Sequence, residues 1–273
     1  MIQCGRATQA NALDYAAYHI CALWMNRRWG EHGETLPCIY GKIWIARRDD
    51  NLVGALHLDE DPNHDPMVTI HADGPQAVRP LVSCIQRERK YEFHVPASLR
   101  EELLNCLTES TLRYETVTLT LTPDRFVPAS GADRVRRLDM SDMEMARRFP
   151  PVQDQESSVT EYLEYAAHDP TWRVYGPVGN GELLSYLKCM LAREDLWEAS
   201  QIRTHPEHRR HGHAKAVLSH AAAELLSAET NLVYSASASN AASLATAKSV
   251  GFREVSRELT CTGQPKPEPG GQA

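Results

Sequence analysis

The chemistry-bearing residues of this chain concentrate between positions 196 and 226, LWEASQIRTHPEHRRHGHAKAVLSHAAAELL. Arg209, Arg210, His211, Gly212, His213, Ala214 and Lys215 open a segment with apolar residues at 214, 217, 218, 221, 222 and 225. That spacing is one buried face of a helix over 213–227. A helix start leaves backbone N–H groups without intrahelical partners and carries a partial positive charge. Together these make a site for a pyrophosphate. Gly212 removes a side chain where a phosphate must approach closely, Ala214 is the next smallest choice, and Arg209, Arg210 and Lys215 add fixed charge. Glu198 stands on the strand before this junction, fourteen residues ahead of Gly212. A carboxylate is a residue type that can act as a general base. The bland alternative is a solvent-facing strand carboxylate, and a one-residue slip or bulge would decide between them.

The elements that must position these residues follow from periodicity. In the C-terminal half, strands are expected at 135–138, 172–175, 183–191, 196–204, 232–237 and 252–261. Helices are expected after Ser141, its cap, with Glu144 three residues on, and at 160–168, 213–227 and 241–249. In the N-terminal half, helices are expected at 9–28, 75–87 and 97–107. Strands are expected at 42–48, 52–58, 67–71, 91–95 and 116–122, the first two joined across Asp49-Asp50-Asn51. The order β β β α β α β thus occurs twice, and the two halves read as a tandem repeat of one architecture. A Pro/Gly break at 122–133 separates them.

The C-terminal half resembles the GNAT superfamily of acyl-CoA-dependent N-acyltransferases. The family pattern Gln/Arg-x-x-Gly-x-Gly/Ala is met by Arg209-x-x-Gly212-x-Ala214 behind a His-Pro-Glu lead-in at 205–207. It is followed by a strand, Asn240, Ser243 and a helix ending in Gly251-Phe252. The match spans about 130 residues, and over 1–122 only the element order is similar. The resemblance implies an α/β fold (α+β mixed sheet) of tandem GNAT-like domains, each a mostly antiparallel twisted sheet flanked by helices. The expected boundaries are a degenerate domain at 1–125, a catalytic N-acetyltransferase domain at 133–262 and a disordered tail at 263–273.

The resemblance also implies a site. Backbone groups of Ile202, Arg203 and Thr204 would pair with the pantetheine arm of acetyl-CoA, the co-substrate. Those of Arg210 through Lys215 would hold its pyrophosphate. Asn240 and Ser243 would lie near the thiol end, where the fourth and fifth strands splay apart. Glu198 would be the base, with a backbone N–H near Ile202 polarising the thioester carbonyl. The general-acid Tyr common in the family is replaced by Ala247. Tyr234 is either a substitute or a packing residue.

The implied function is transfer of an acetyl or other acyl group to an amine, small molecule or peptide, by direct attack in a ternary complex. Two rivals stay open: a non-catalytic acyl-CoA-binding regulatory module, favoured by Ala247, and a structural dimer with a vestigial cleft. The junction at 71–77, with Asp73 and Pro75, is expected to bind no acyl-CoA. That half would complete the acceptor cleft or buttress the active half.

Composition excludes several classes. The 273 residues are 42% hydrophobic and 24% charged, with net charge −7, which argues against a general nucleic-acid binder. No apolar run reaches bilayer length. His205, His208, His211, His213 and His220 lack a converging tetrahedral pattern, so no metal is expected. The seven cysteines (4, 21, 38, 84, 106, 189, 261) form no CxxC, and no secretory leader is recognisable, so reduced thiols and a cytoplasmic location are expected. Neither membrane nor nucleic acid is an expected partner, and the chain would be a monomer or homodimer. The acidic loop at 58–65 would attract a cationic acceptor or be a solvated turn.

Overall fold

The computed structural model describes residues 2–6, 41–60, 62, 65–87, 89–151, 158–227 and 230–267. The helix expected at 9–28 lies outside the described residues. Two compact units emerge, the first formed by residues 1–116 with 256–273, the second by 117–255. The break expected at 122–133 therefore falls inside the second unit, and the last strand ends in the first.

The first unit contains β1 (Ile2–Arg6), β2 (Gly41–Arg48), β3 (Asn51–Asp59), β4 (Met67–Ala72), helix α1 (Val78–Val82), β5 (Tyr91–Pro96) and helix α2 (Arg100–Cys106). Strand β6 (Leu107–Leu121) begins here, and β13 (Arg253–Pro265) ends here. The strand order is β1-β2-β3-β4-β5-β13, with only the β4–β5 pair parallel among the register-defined neighbours. Alternation explains the core: Tyr91, Phe93 and Val95 of β5 are buried while Glu92 and His94 face the other side. Asp49 and Asp50 take positive φ of 49° and 66°, the left-handed pair that a tight β2–β3 hairpin needs. Glu60, in the acidic loop, pairs with Lys42 at 2.6 Å and Arg89 at 2.7 Å, so its charge is already compensated.

Two expectations fail in this unit and one is met. The helix foreseen at 75–87 is a 3₁₀ turn at Pro75–Ala77 and the short α1. It stops because Ser83 Oγ bonds the Pro80 carbonyl at 2.7 Å, competing for a helix acceptor. The helix expected at 97–107 is present, opening as a 3₁₀ turn at Ala97–Leu99 and continuing as α2 until β6 takes over at Leu107. Residues 263–265 of the expected tail are strand: Gly263 pairs with Tyr91, and Thr108 Oγ1 bonds the Gln264 carbonyl at 3.4 Å. Backbone pairing overrides the local Pro/Gly signal there.

The second unit carries β7 (Val135–Leu138), α3 (Met143–Arg147), α4 (Val159–His168), β8 (Trp172–Gly179), β9 (Glu182–Leu183), β10 (Ser185–Arg193), β11 (Leu196–Thr204), α5 (His213–Leu225), β12 (Asn231–Ser237) and α6 (Ala241–Ser249). Its order is β6-β12-β11-β10-β8-β7, with β9 on β8. Only β11–β12 is parallel among the register-defined pairs. One face packs α5, through Val217, Leu218 and Ala221, against Trp197, Ala199 and Leu187. The other packs α3 and α4, through Met143, Ala146 and Leu163, against Leu138, Val174 and Tyr186. The cap before α3 is Asp139 rather than Ser141: Asp139 and Asp142 form the reciprocal capping box, and Ser141 N donates to Asp139 Oδ1 at 2.8 Å. Both units are mixed α/β with mostly antiparallel sheets flanked by helices.

Candidate active site

Strand β11 is the spine of the site. Trp197 and Ala199 are buried on the α5 face, so Glu198 and Ser200 take the opposite one. They stand opposite Met190 and Lys188 of β10. Then the register breaks: Gln201 and Ile202 together face the single residue Leu187, and Arg203 stands opposite Tyr186. This is a β-bulge, and Gln201 supplies it with a φ of +55°. A non-glycine residue in that region costs roughly 1–2 kcal/mol. The bulge returns Ile202 to the α5 face, where it packs on the Trp197–Ala199 core. It also turns Arg203 to the face of Glu198.

The parallel β11–β12 ladder runs from Leu196↔Asn231 only to Ala199↔Tyr234. Beyond it β11 continues to Thr204 and β12 to Ser237 without pairing to each other, which leaves the β11 edge open. A cavity of about 940 Å³ occupies this gap and extends to the start of α5. Glu198, Ile202, Arg203 and Thr204 line it from β11. Arg209, Arg210, Gly212, His213, Ala214 and Lys215 line it from the loop and helix start, and Asn240 and Ser243 from the far side. His211 does not line it, and its ring lies beside that of His213, centroids 6.2 Å apart. Sequence reading missed Ser200, Gln201, Ser235, Ala236, Ala242 and Thr246. Ser200 was legible as the residue two on from Glu198; the others depend on the bulge and the gap.

The helix start is shaped for an anion. Arg210 and Gly212 adopt left-handed φ of 65° and 81°. No side chain caps α5, and its first intrahelical bond runs from Ala216 N to Gly212 O at 2.9 Å. The N–H groups of His213, Ala214 and Lys215 therefore precede the ladder. A Cβ built on Gly212 would meet nothing within 4 Å, so the space before the helix is open. Arg209, Arg210 and Lys215 surround it. These donors and charges fit a pyrophosphate. Burial holds the His213 imidazole below its ordinary range, and His208 and His211 reinforce this. Among the described residues no group of three or more His, Cys, Asp or Glu could hold a metal ion.

On the far side, Asn240 caps α6, its Oδ1 accepting from Ser243 N at 3.1 Å. That oxygen is committed to the fold, so the amide nitrogen is the group left to meet a ligand. Ser243 Oγ lies 2.6 Å from the Tyr234 hydroxyl. Tyr234 is 2% exposed and packs edge-on against Phe252, yet its residue lines the cavity. Burial raises the Tyr234 pKa, with Ser243 and Arg203 acting the other way.

Residues 137–252 match the model of the Acetyltransferase (GNAT) family. This segment is a GNAT-family domain by that match. No curated protein sequence matches the chain. Among solved structures, a GCN5-related N-acetyltransferase from Sphaerobacter thermophilus is similar at 12% identity and TM-score 0.58, covering 97% of this chain and 96% of its own. A GNAT-family acetyltransferase from Colwellia psychrerythraea is similar at 13% identity and TM-score 0.54, covering 97% and 100%. A tandem GNAT protein from the clavulanic acid biosynthesis pathway is similar at 15% identity and TM-score 0.51, covering 98% and 100%. At these identities the likeness is one of fold.

Two GNAT positions have local physical reasons here. Gly251 has a φ of +107°, and a Cβ there would overlap the Arg125 carbonyl oxygen and crowd Leu121. Ala247 is fully buried in the core that holds Tyr234 and Phe252, so position 247 offers no hydroxyl to the GNAT cleft.

Proposed function

We propose that the protein is an acyl-CoA-dependent N-acyltransferase, acetyl-CoA being the donor, that acylates an amine by direct attack in a ternary complex. One observation carries this reading. The open β11 edge beyond Ala199 runs into the uncapped, positively charged start of α5 within one cavity. An extended arm with an anionic end fits that shape. The N–H groups of residues 213–215 and the charges of Arg209, Arg210 and Lys215 would bind the pyrophosphate. The backbone from Ile202 to Thr204 would pair with the arm. Acyl-CoA supplies the activated acyl group when bound.

This chain's own residues then do the following. Glu198 accepts a proton from the acceptor nitrogen, since most amines are protonated near neutrality and only the neutral form attacks. A backbone N–H of β11 near Ile202 would serve the developing oxyanion. The buried Tyr234–Ser243 pair supplies hydroxyls at the far wall.

The first unit is proposed to bind no acyl-CoA. Its equivalent junction carries Asp73 and Pro75 and opens a 3₁₀ turn rather than a long helix. A cytoplasmic location also stands as a proposal; Cys4, Cys84, Cys106, Cys189 and Cys261 are free thiols, and no helix among the described residues is long and apolar enough to cross a membrane. A second reading, a non-catalytic acyl-CoA sensor, is favoured by Ala247 alone. Acetyl-CoA-dependent thiol release over a panel of amines separates the two: release supports the enzyme, and binding without release supports the sensor.

A further inference from the structure

The face of β11 that carries Glu198 holds charge of both signs. Glu198, Ser200 and Arg203 stand opposite Met190, Lys188 and Tyr186 of β10, and directly opposed residues share a face. Tyr186 belongs to the core under α3 and α4, whereas α5 packs on the other side of the sheet. The Arg203 side chain therefore leaves β11 away from the helix whose N-terminus would take the pyrophosphate. It lines the cavity but has no carboxylate within ion-pair distance among the described residues. Its side-chain partners are neutral: the Tyr186 hydroxyl, and Gln201 Oε1 at 3.4 Å. Its Nε is buried with no partner, and so is Ser200 Oγ on the same face. A half-buried guanidinium that lines a cavity with no carboxylate in reach calls for an anion.

We infer that the amine acceptor carries a carboxylate, held by the Arg203 guanidinium beside Ser200 while its amine faces Glu198. The acceptor class is then the amino acids and compounds built like them. This rests on the acyltransferase reading. Met190 and Tyr186 are four residues apart on β10, so the backbone positions of Glu198 and Arg203 lie roughly 14 Å apart. The long guanidinium arm covers part of that span, so one small zwitterion can meet both charges. Glu198 next to an ammonium and Arg203 next to a carboxylate also fix which end of the molecule enters first. An acceptor presented the other way round would place like charges together.

The test uses the full chain, acetyl-CoA and a panel of free amino acids, each paired with its C-terminal amide and its decarboxylated amine. Thiol release gives kcat and KM, and thermal melting with acetyl-CoA reports donor binding. The expected result is that carboxylate-bearing acceptors exceed their amides in kcat/KM by roughly 10- to 100-fold, the worth of a charged hydrogen bond. Arg203→Gln should erase that preference through KM, Arg203→Lys should restore part of it, and both should keep the acetyl-CoA melting shift. Equal use of acids and amides, or a preference that survives Arg203→Gln, overturns the inference. So does a variant that folds but loses the acetyl-CoA shift, which would assign Arg203 to the donor. Turnover with neither panel by a protein that binds acetyl-CoA contradicts it as well. A wild type that neither binds acetyl-CoA nor releases thiol fails at the acyltransferase reading itself, and the inference falls with it.

Discussion

Glu198 and Arg203 project from the same face of β11 although they are five positions apart, an odd spacing that alternation alone would send to opposite faces. The bulge at Gln201–Ile202 absorbs the extra residue. It leaves Trp197, Ala199 and Ile202 in the core while both charged groups meet the cavity. The placement of Glu198 and Arg203 on one cavity thus depends on one irregularity in one strand.

If Glu198 takes the amine proton, Glu198→Gln should lower turnover near neutral pH by roughly 100- to 10,000-fold. The acetyl-CoA melting shift should stay as in the wild type. The deficit should shrink as pH rises and the amine loses its proton unaided. A pH–rate profile of thiol release checks this, and unchanged turnover at every pH removes Glu198 from the role.

Gly251→Ala should be severely destabilising. The left-handed φ of +107° disfavours any side chain, and the new Cβ would overlap the Arg125 carbonyl oxygen. Loss of soluble protein, or a fall in unfolding free energy of about 3 kcal/mol or more, is expected. Urea denaturation reads it directly, and wild-type stability would contradict the packing described for this turn.

His71 makes stability fall toward acid pH. Burial holds its pKa at about 4, below the ordinary imidazole value, and its Nε2 has no partner among the described residues. A base with a depressed folded-state pKa contributes fully above pH 6.5 and loses that contribution as pH drops toward 4. Between pH 7.5 and 4.5 the loss should be roughly 2–3 kcal/mol. His71→Leu should flatten that part of the profile in urea melts at matched pH. An identical slope in both proteins would show that His71 does not carry it.

Much of the second unit was legible in its sequence. Residues 196–200 alternate, and 241–249 lie between an Asn cap and a glycine in left-handed conformation, so both elements fall where periodicity and caps put them. The Arg209–Lys215 loop was legible because Gly212 and the charges around it have a local reason. What was not legible depends on partners distant in sequence. Gln201 gives no local sign of a positive φ, since its bulge exists only against Leu187 of β10. Residues 262–265 look like a tail until Tyr91 and Glu92 pair with them. Residues 107–115 are mostly exposed and polar, so the first half of β6 carries no alternating signal. Tyr234 is placed on the cavity wall by its bond to Ser243, nine residues away on another element.

The central claim is the acyl-CoA site, and thermal melting with and without acetyl-CoA tests it most directly, with Gly212→Glu as control. At 100 times the dissociation constant, the donor should stabilise the wild type by about 2.7 kcal/mol. In Gly212→Glu a carboxylate would enter the open space before α5, where the pyrophosphate is to sit, and the shift should vanish. A melting shift of equal size in both proteins, or none in the wild type, would contradict the account.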